Sequence, residues 1–222
     1  MHIPDGYLSL PWVVLTYAIT IAFGVVAVYK ARKVWGPATA TAVTLAAAAI
    51  FVAQMLNWPI PVSNGTSLHL VGGALVAMIL GPWLAFIAMS IVLVTQAIVF
   101  HDGGITTLGA NILNMGIVDV LVGYAVFKLV TRLVPGRKGR LLGAFLGGWL
   151  GIAVAGTVAG IEIGLSPQFP YGVEITVPVM AFWHTLLGIV EGIITALVVD
   201  YVYTHSPSLV MVRVVRSEVV GR

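Results

Sequence analysis

The stretch Leu68-His69-Leu70-Val71-Gly72-Gly73-Ala74-Leu75-Val76-Ala77-Met78-Ile79-Leu80-Gly81-Pro82-Trp83-Leu84 decides how this chain is threaded. It holds either the end of one membrane span and the start of the next, or a single kinked helix. Gly followed by Pro marks a turn or a strong kink. Outward from it, apolar segments run over residues 10–29, 38–56, 68–80, 84–100, 108–130, 141–165 and 178–203. Runs of roughly 20 apolar residues read as spanning helices. The chain is 59% hydrophobic and 9% charged, where a soluble domain carries about a quarter charged residues. This predicts one all-α domain, residues 1–222: a polytopic membrane bundle of about seven transmembrane helices.

Charge selects between the two threadings. Lys30, Arg32 and Lys33 follow the first segment. Lys128, Arg132, Arg137, Lys138 and Arg140 surround the fifth connection, and Arg213, Arg216 and Arg222 lie in the tail. Seven spans put all 11 basic residues on one face, whereas fusing the third and fourth segments scatters them over both. The positive-inside rule therefore selects seven spans, with the N-terminus outside and the C-terminus inside. The outer parts are then residues 1–6, 57–67, 101–107 and 166–176. The formal charge of +3 is a topology signal and no nucleic-acid footprint. There is no cysteine, which excludes disulfides and thiolate metal sites. The N-terminus lacks the basic region and cleavage site of a signal peptide, so the first Met is expected to be retained.

Segments 68–80 and 84–100 are short for a bilayer. Gly/Pro-interrupted spans often lie beside binding sites, since irregular backbone at membrane depth must be buried in protein or line a cavity. Ala38, Ala42 and Ala46, and Gly143, Gly147, Gly151 and Ala155, keep four-residue spacing. Such stripes serve close helix packing, either within the chain or onto a partner subunit.

The chain has five histidines, and His2 is the most telling. A free terminal amine, the peptide nitrogen of residue 2 and the His2 Nδ1 close a five- and a six-membered ring around one ion. Three nearly coplanar nitrogens suit Ni(II) or Cu(II). The amide must lose its proton, so binding should weaken in acid. An ordinary exposed histidine is the plain alternative. His69, at the outer mouth of a Gly-rich helix, is a candidate fourth ligand or an interfacial helix-end residue, with Ser63, Thr66 or Ser67 available as caps. His101 and Asp102, or Asp5, offer ligand-orienting contacts, although Asp102-Gly103-Gly104 also reads as a plain turn. Asp119, Glu162, His184 and Glu191 are intramembrane. His184 and Glu191 share one helix face, and a structural network is their first reading, ahead of metal binding. No G-x-x-x-x-G-K-[ST] loop and no H-E-x-x-H helix is present.

Met1-His2-Ile3-Pro4-Asp5-Gly6, residues Gly65 to Ala74, Asp102-Gly103-Gly104 with Leu108-Gly109-Ala110-Asn111, and His184 through Glu191-Gly192 resemble the nickel/cobalt substrate-binding subunits of energy-coupling-factor transporters, the CbiM/NikM family. The resemblance covers nearly the whole chain, and Pro4-Asp5 is more like the nickel branch. It implies no enzyme but an importer of Ni(II), or Co(II), in a prokaryotic cell membrane. It also implies partners: a transmembrane coupling subunit, a cytoplasmic ATPase pair and, in some systems, a small accessory membrane subunit. No nucleic acid and no organic cofactor is expected. The implied ligands are the Met1 amine, the His2 amide and imidazole, and His69, with His101, Asp5, Asn111 and Gln96 around them. Planar geometry would select against Zn. Two rivals are an autonomous secondary transporter using Asp119, Glu162, His184 and Glu191 as a proton relay, and an intramembrane enzyme, for which no nucleophile–base pair is present.

Overall fold

The computed structural model describes residues 1–60 and 66–211. The proposed cap Ser63, Gly65 of the quoted motif and the tail arginines Arg213, Arg216 and Arg222 lie outside them. Six helices among the described residues are long and apolar enough to cross a membrane. They are α1 (Leu10–Ala31), α2 (Pro37–Gln54), α4 (Pro82–Thr95) running on to Phe100, the helix from Leu108 to Leu133, α7 (Gly136–Gly164) and α8 (Val173–His205). The fourth of these consists of α5 (Leu108–Ile112), a π-helical turn (Leu113–Val118) and α6 (Asp119–Leu133). α8 starts before its internal Pro178, five residues earlier than the apolar run suggested. Pro178 lies in the second turn of the helix, where its missing N–H withholds the i−4 bond from the Glu174 carbonyl.

The third of the expected segments, already short for a bilayer, is helical only in part. Only α3 (Gly73–Leu80) is helical there, eight residues long. That length reaches about 12 Å, too short for a hydrocarbon core of about 30 Å. Before it the chain is extended. Trp58–Pro59 (β1) pairs antiparallel with Ser67–Leu68 (β2), and residues 69–72 continue inward.

Even so, this segment crosses the whole membrane. Thr66 Oγ1 meets Met180 Sδ at 3.7 Å, the amides of Val71 and Gly72 donate to Glu191, and Tyr203 Oη donates to the Met78 carbonyl at 3.0 Å. Residues 66 to 78 thus descend beside residues 180 to 203 of α8, a helical span of roughly 35 Å. At Gly81 the chain reverses with φ 87°, a conformation that glycine adopts without strain, and Pro82 opens α4. The two halves are separate crossings, as the charge pattern required.

Unwound backbone in a bilayer needs internal acceptors. Two carboxylates supply them. Glu191 Oε2 and Oε1 accept from Val71 N and Gly72 N, both at 2.8 Å, and Asp119 Oδ2 accepts from Ala74 N at 2.8 Å. Gln54 Nε2 donates to the Val71 carbonyl at 2.7 Å. These groups sit at the N-terminus of α3, where a helix dipole favours negative charge. The structural network anticipated for Glu191 is this cap.

The glycine stripe of α7 packs inside the chain. A methyl at Gly147 would stand 2.6 Å from the Gly123 carbonyl of α6, and one at Gly148 would stand 2.9 Å from Thr195 Oγ1 of α8. Backbones this close fit the packing role of small residues in membrane helices. On α2, Ala42 is buried while Ala38 is exposed, so that stripe faces the bundle only in part. The Arg137 and Arg140 side chains pair with Asp200 at 2.9 and 2.5 Å, tying the start of α7 to the end of α8. Phe23 stacks near Trp83, placing the C-terminal half of α1 at the same end. The described Lys and Arg residues therefore collect at one end, opposite Met1.

Glu191→Ala should strand two buried amides at about 1–3 kcal/mol each. The thermal midpoint in detergent should fall markedly, and less for Glu191→Gln. An unchanged midpoint in the alanine variant would remove the capping role.

Candidate metal centre

The N-terminal segment is not a loose tail. Met1 and Ile3 have no solvent exposure, and His2 has 3%. Polar contacts hold the segment from several sides. Ile3 N donates to Asn111 Oδ1 at 2.8 Å, and the Ile3 carbonyl accepts from Gly104 N at 3.0 Å, Asn111 Nδ2 at 3.2 Å and Thr107 Oγ1 at 2.5 Å. Gly103 has φ 86°, and a methyl on it would stand 2.9 Å from Asn111 Nδ2 and 3.3 Å from the His2 ring. Glycine is needed there on both counts. The outer loop therefore closes over residues 2 and 3.

Three expected ligands meet. The Met1 amine donates to the Ser67 carbonyl and lies 3.2 Å from Ser67 Oγ. The His2 and His69 rings stack with centroids 4.5 Å apart and planes 22° from parallel. His69 Nδ1 is 2.9 Å from the Leu70 carbonyl, and its buried Nε2 has no hydrogen-bond partner. A carbonyl only accepts, so Nδ1 carries the proton and Nε2 keeps its lone pair. His2 Nε2 donates to Gln96 Oε1 at 3.1 Å, so Nδ1 keeps the ring's lone pair, with Ser67 Oγ 3.5 Å away.

Burial sets the protonation. It lowers the Met1 amine from 8.0 to about 4, against the opposing pull of Asp102. His2 falls from 6.5 to about 3, first through burial and then through the nearby amine. Removing charged groups from water disfavours their protonated forms. At neutral pH the amine and the His2 imidazole are unprotonated, and the unpartnered Nε2 of His69 is a third nitrogen with a free lone pair, the state that binds metal.

The remaining expected residues divide. Gln96 and Asn111 touch the N-terminal segment as just described. His101 takes a left-handed backbone (φ 54°) and lines an open outer cleft of about 290 Å3 with His2, Asp102 and Asp5, but it is itself exposed. Asp5 does not reach the His2 ring. Its carboxylate accepts from Thr106 N at 2.7 Å, Thr106 Oγ1 at 2.5 Å and Ile105 N at 3.2 Å. It latches the outer loop, which explains why its carboxyl stays below the ordinary range despite some burial.

The carboxylate beside His2 is Asp102, with Oδ1 3.3 Å from Nδ1. Burial raises its carboxyl while the amine opposes. The Asp102-Gly103-Gly104 run was the available signal for it, though a turn explained the run equally well. Sequence reasoning missed Thr107 outright and cast Ser67 only as a cap. π-helical turns begin at Gln96 and Leu113, and each aims a polar side chain inward. Gln96 meets His2, and Asn114 donates to Glu162 at 2.7 Å. Such turns recur at functional sites, but nothing in the residue pattern announces them.

Fold and site define a multi-pass helical membrane protein with a nitrogen-rich pocket built on its own first residues. Residues 2–209 match the family described as the cobalt uptake substrate-specific transmembrane region, CbiM, and the chain belongs to that family. It is 50% identical over 210 residues to a fused nickel transport protein, NikMN, of Archaeoglobus fulgidus, covering 95% of this chain and 68% of that protein. It is 39% identical over 226 residues to the fused nickel transport protein NikMN of Rhodobacter capsulatus, covering 96% of this chain and 65% of the relative. A solved structure of a truncated transition metal transporter superposes with TM-score 0.87 at 38% identity, over 92% of this chain and 99% of that one. These relatives are transport proteins and not enzymes.

Asn111→Ala removes both side-chain bonds to Ile3. Since each stranded buried group costs about 1–3 kcal/mol, the Ile3 amide should exchange with deuterium at least about fivefold faster by mass spectrometry. Unchanged exchange would show that the outer loop alone docks the segment.

Proposed function

We propose that this chain is the substrate-binding membrane subunit of an energy-coupling-factor transporter, capturing Ni(II), or Co(II), from outside a prokaryotic cell for ATP-driven import. The carrying observation is the burial of the terminal amine beside the His2 and His69 rings. The ion would take the Met1 amine, the deprotonated His2 amide, His2 Nδ1 and His69 Nε2. Gln96 and Leu70 hold the opposite ring nitrogens, a common way to orient metal-bound imidazoles. Asp102, at the cleft floor, offers negative charge to an entering cation. Nickel is the favoured substrate because the similar NikMN proteins are named for it and because four nitrogens in a plane suit Ni(II).

The end carrying the Lys and Arg residues is assigned to the cytoplasm by the positive-inside rule. The chain contains no phosphate-binding loop. Energy is therefore assigned to a coupling subunit and an ATPase pair. The secondary-transporter reading is less well supported, because Glu191 and Asp119 already serve the backbone of the third crossing.

Nickel titration of the purified metal-free protein, followed by ligand-field absorption, tests the chelate. One extra residue before Met1 should abolish the planar band while leaving the fold intact. A band that survives unchanged would end the proposal.

The pH dependence is equally specific. With amine and imidazoles unprotonated in the metal-free state, only the amide releases a proton on binding. Affinity should fall about tenfold per pH unit on going from roughly pH 7 to 5. A slope of two or three would mean that the ligands start protonated.

A further inference from the structure

His184 is buried without exposure in the middle of α8, outside the four-nitrogen set. Its Nδ1 lies 2.7 Å from the Met180 carbonyl, and its Nε2 is buried with no hydrogen-bond partner. The carbonyl fixes the proton on Nδ1 and leaves the Nε2 lone pair free. His69 shows the same arrangement, with Nδ1 on a backbone carbonyl and Nε2 unused. Metal-binding histidines are commonly prepared in this way.

The two rings also lie at similar depth. Thr66 meets Met180, and Gly72 meets Glu191. Extended backbone rises about 3.3 Å per residue, which puts His69 roughly 10 Å below Thr66. His184 lies about 6 Å below Met180 along its helix. Each histidine thus falls between the same two contacts on adjacent segments. The neighbouring helix makes room for the ring, since a methyl on Gly156 would stand 2.6 Å from His184 Nδ1.

We propose that His184 is a transfer ligand that, together with His69, forms a second coordination station for a divalent nitrogen-seeking metal ion on its way inward. The idea rests on the N-terminal chelate as the first station. His69 Nε2 keeps its bond to the ion while His184 Nε2 donates its lone pair. The Met1 amine and His2 imidazole leave with theirs, and the His2 amide recovers from solvent the proton it lost on binding. The charge on the ion does not change.

The test uses His184→Gln and His184→Ala in the full chain. The first readout is Ni(II) titration of the purified protein. The second is radiolabelled Ni(II) uptake by cells producing the complete transporter at matched protein levels. His184→Gln, which keeps the volume, should retain the thermal midpoint and planar Ni(II) band of the parent. Uptake should fall at least about tenfold in both variants, the scale typical of losing a metal-site partner. Parental uptake in either variant overturns the proposal. So does loss of the planar band in a folded His184→Gln protein, which would place His184 in the first station. Failure of the chelate itself is read separately, from a parent protein that never shows the planar band.

Discussion

A bilayer interior offers no water to unpaired amides, and the third crossing of this chain leaves several unpaired at mid-depth. Glu191 and Asp119 resolve that conflict by accepting from Val71, Gly72 and Ala74. Everything functional follows from it. Because residues 66 to 72 are non-helical, Ser67 presents a backbone carbonyl to the Met1 amine, and His69 enters the pocket at the level of His2. A continuous helix would have consumed that carbonyl internally.

The N-terminal segment then completes the core rather than decorating it. Met1 and Ile3 belong to the same buried apolar cluster as Val71, Met115, Ile152 and Met180. Burial of such side chains contributes roughly 1.5–3 kcal/mol each, which offsets the cost of taking a terminal amine and an imidazole out of water. The groups respond by giving up their protons, which leaves their nitrogen lone pairs uncovered. Packing energy and protonation state are joined in two residues.

Much of this was legible in the residues. Apolar runs and the confinement of basic residues to a few clusters gave the number of crossings, because charge at a membrane face is costly to misplace. The meeting of Met1, His2 and His69 was legible because only a few donor types can form a chelate at a chain end. Other features were hidden. Residues 68–80 are apolar throughout, and apolar composition does not distinguish helix from extended chain when the stabilising acceptors, Glu191 and Asp119, lie far away in sequence. The exchange of roles between Asp5 and Asp102 was hidden for a related reason. Both carboxylates sit in outer segments, and only the close approach of loop 103–106 to the N-terminal segment decides which one faces the ring.

The enclosure of the Met1 amine sets a steric limit at the pocket. Its nitrogen lies against the Ser67 carbonyl, and no exposure remains around the residue. An acyl group on that nitrogen would remove donor hydrogens and add atoms to a space already filled. Chemical capping of this single nitrogen is therefore incompatible with the packed pocket.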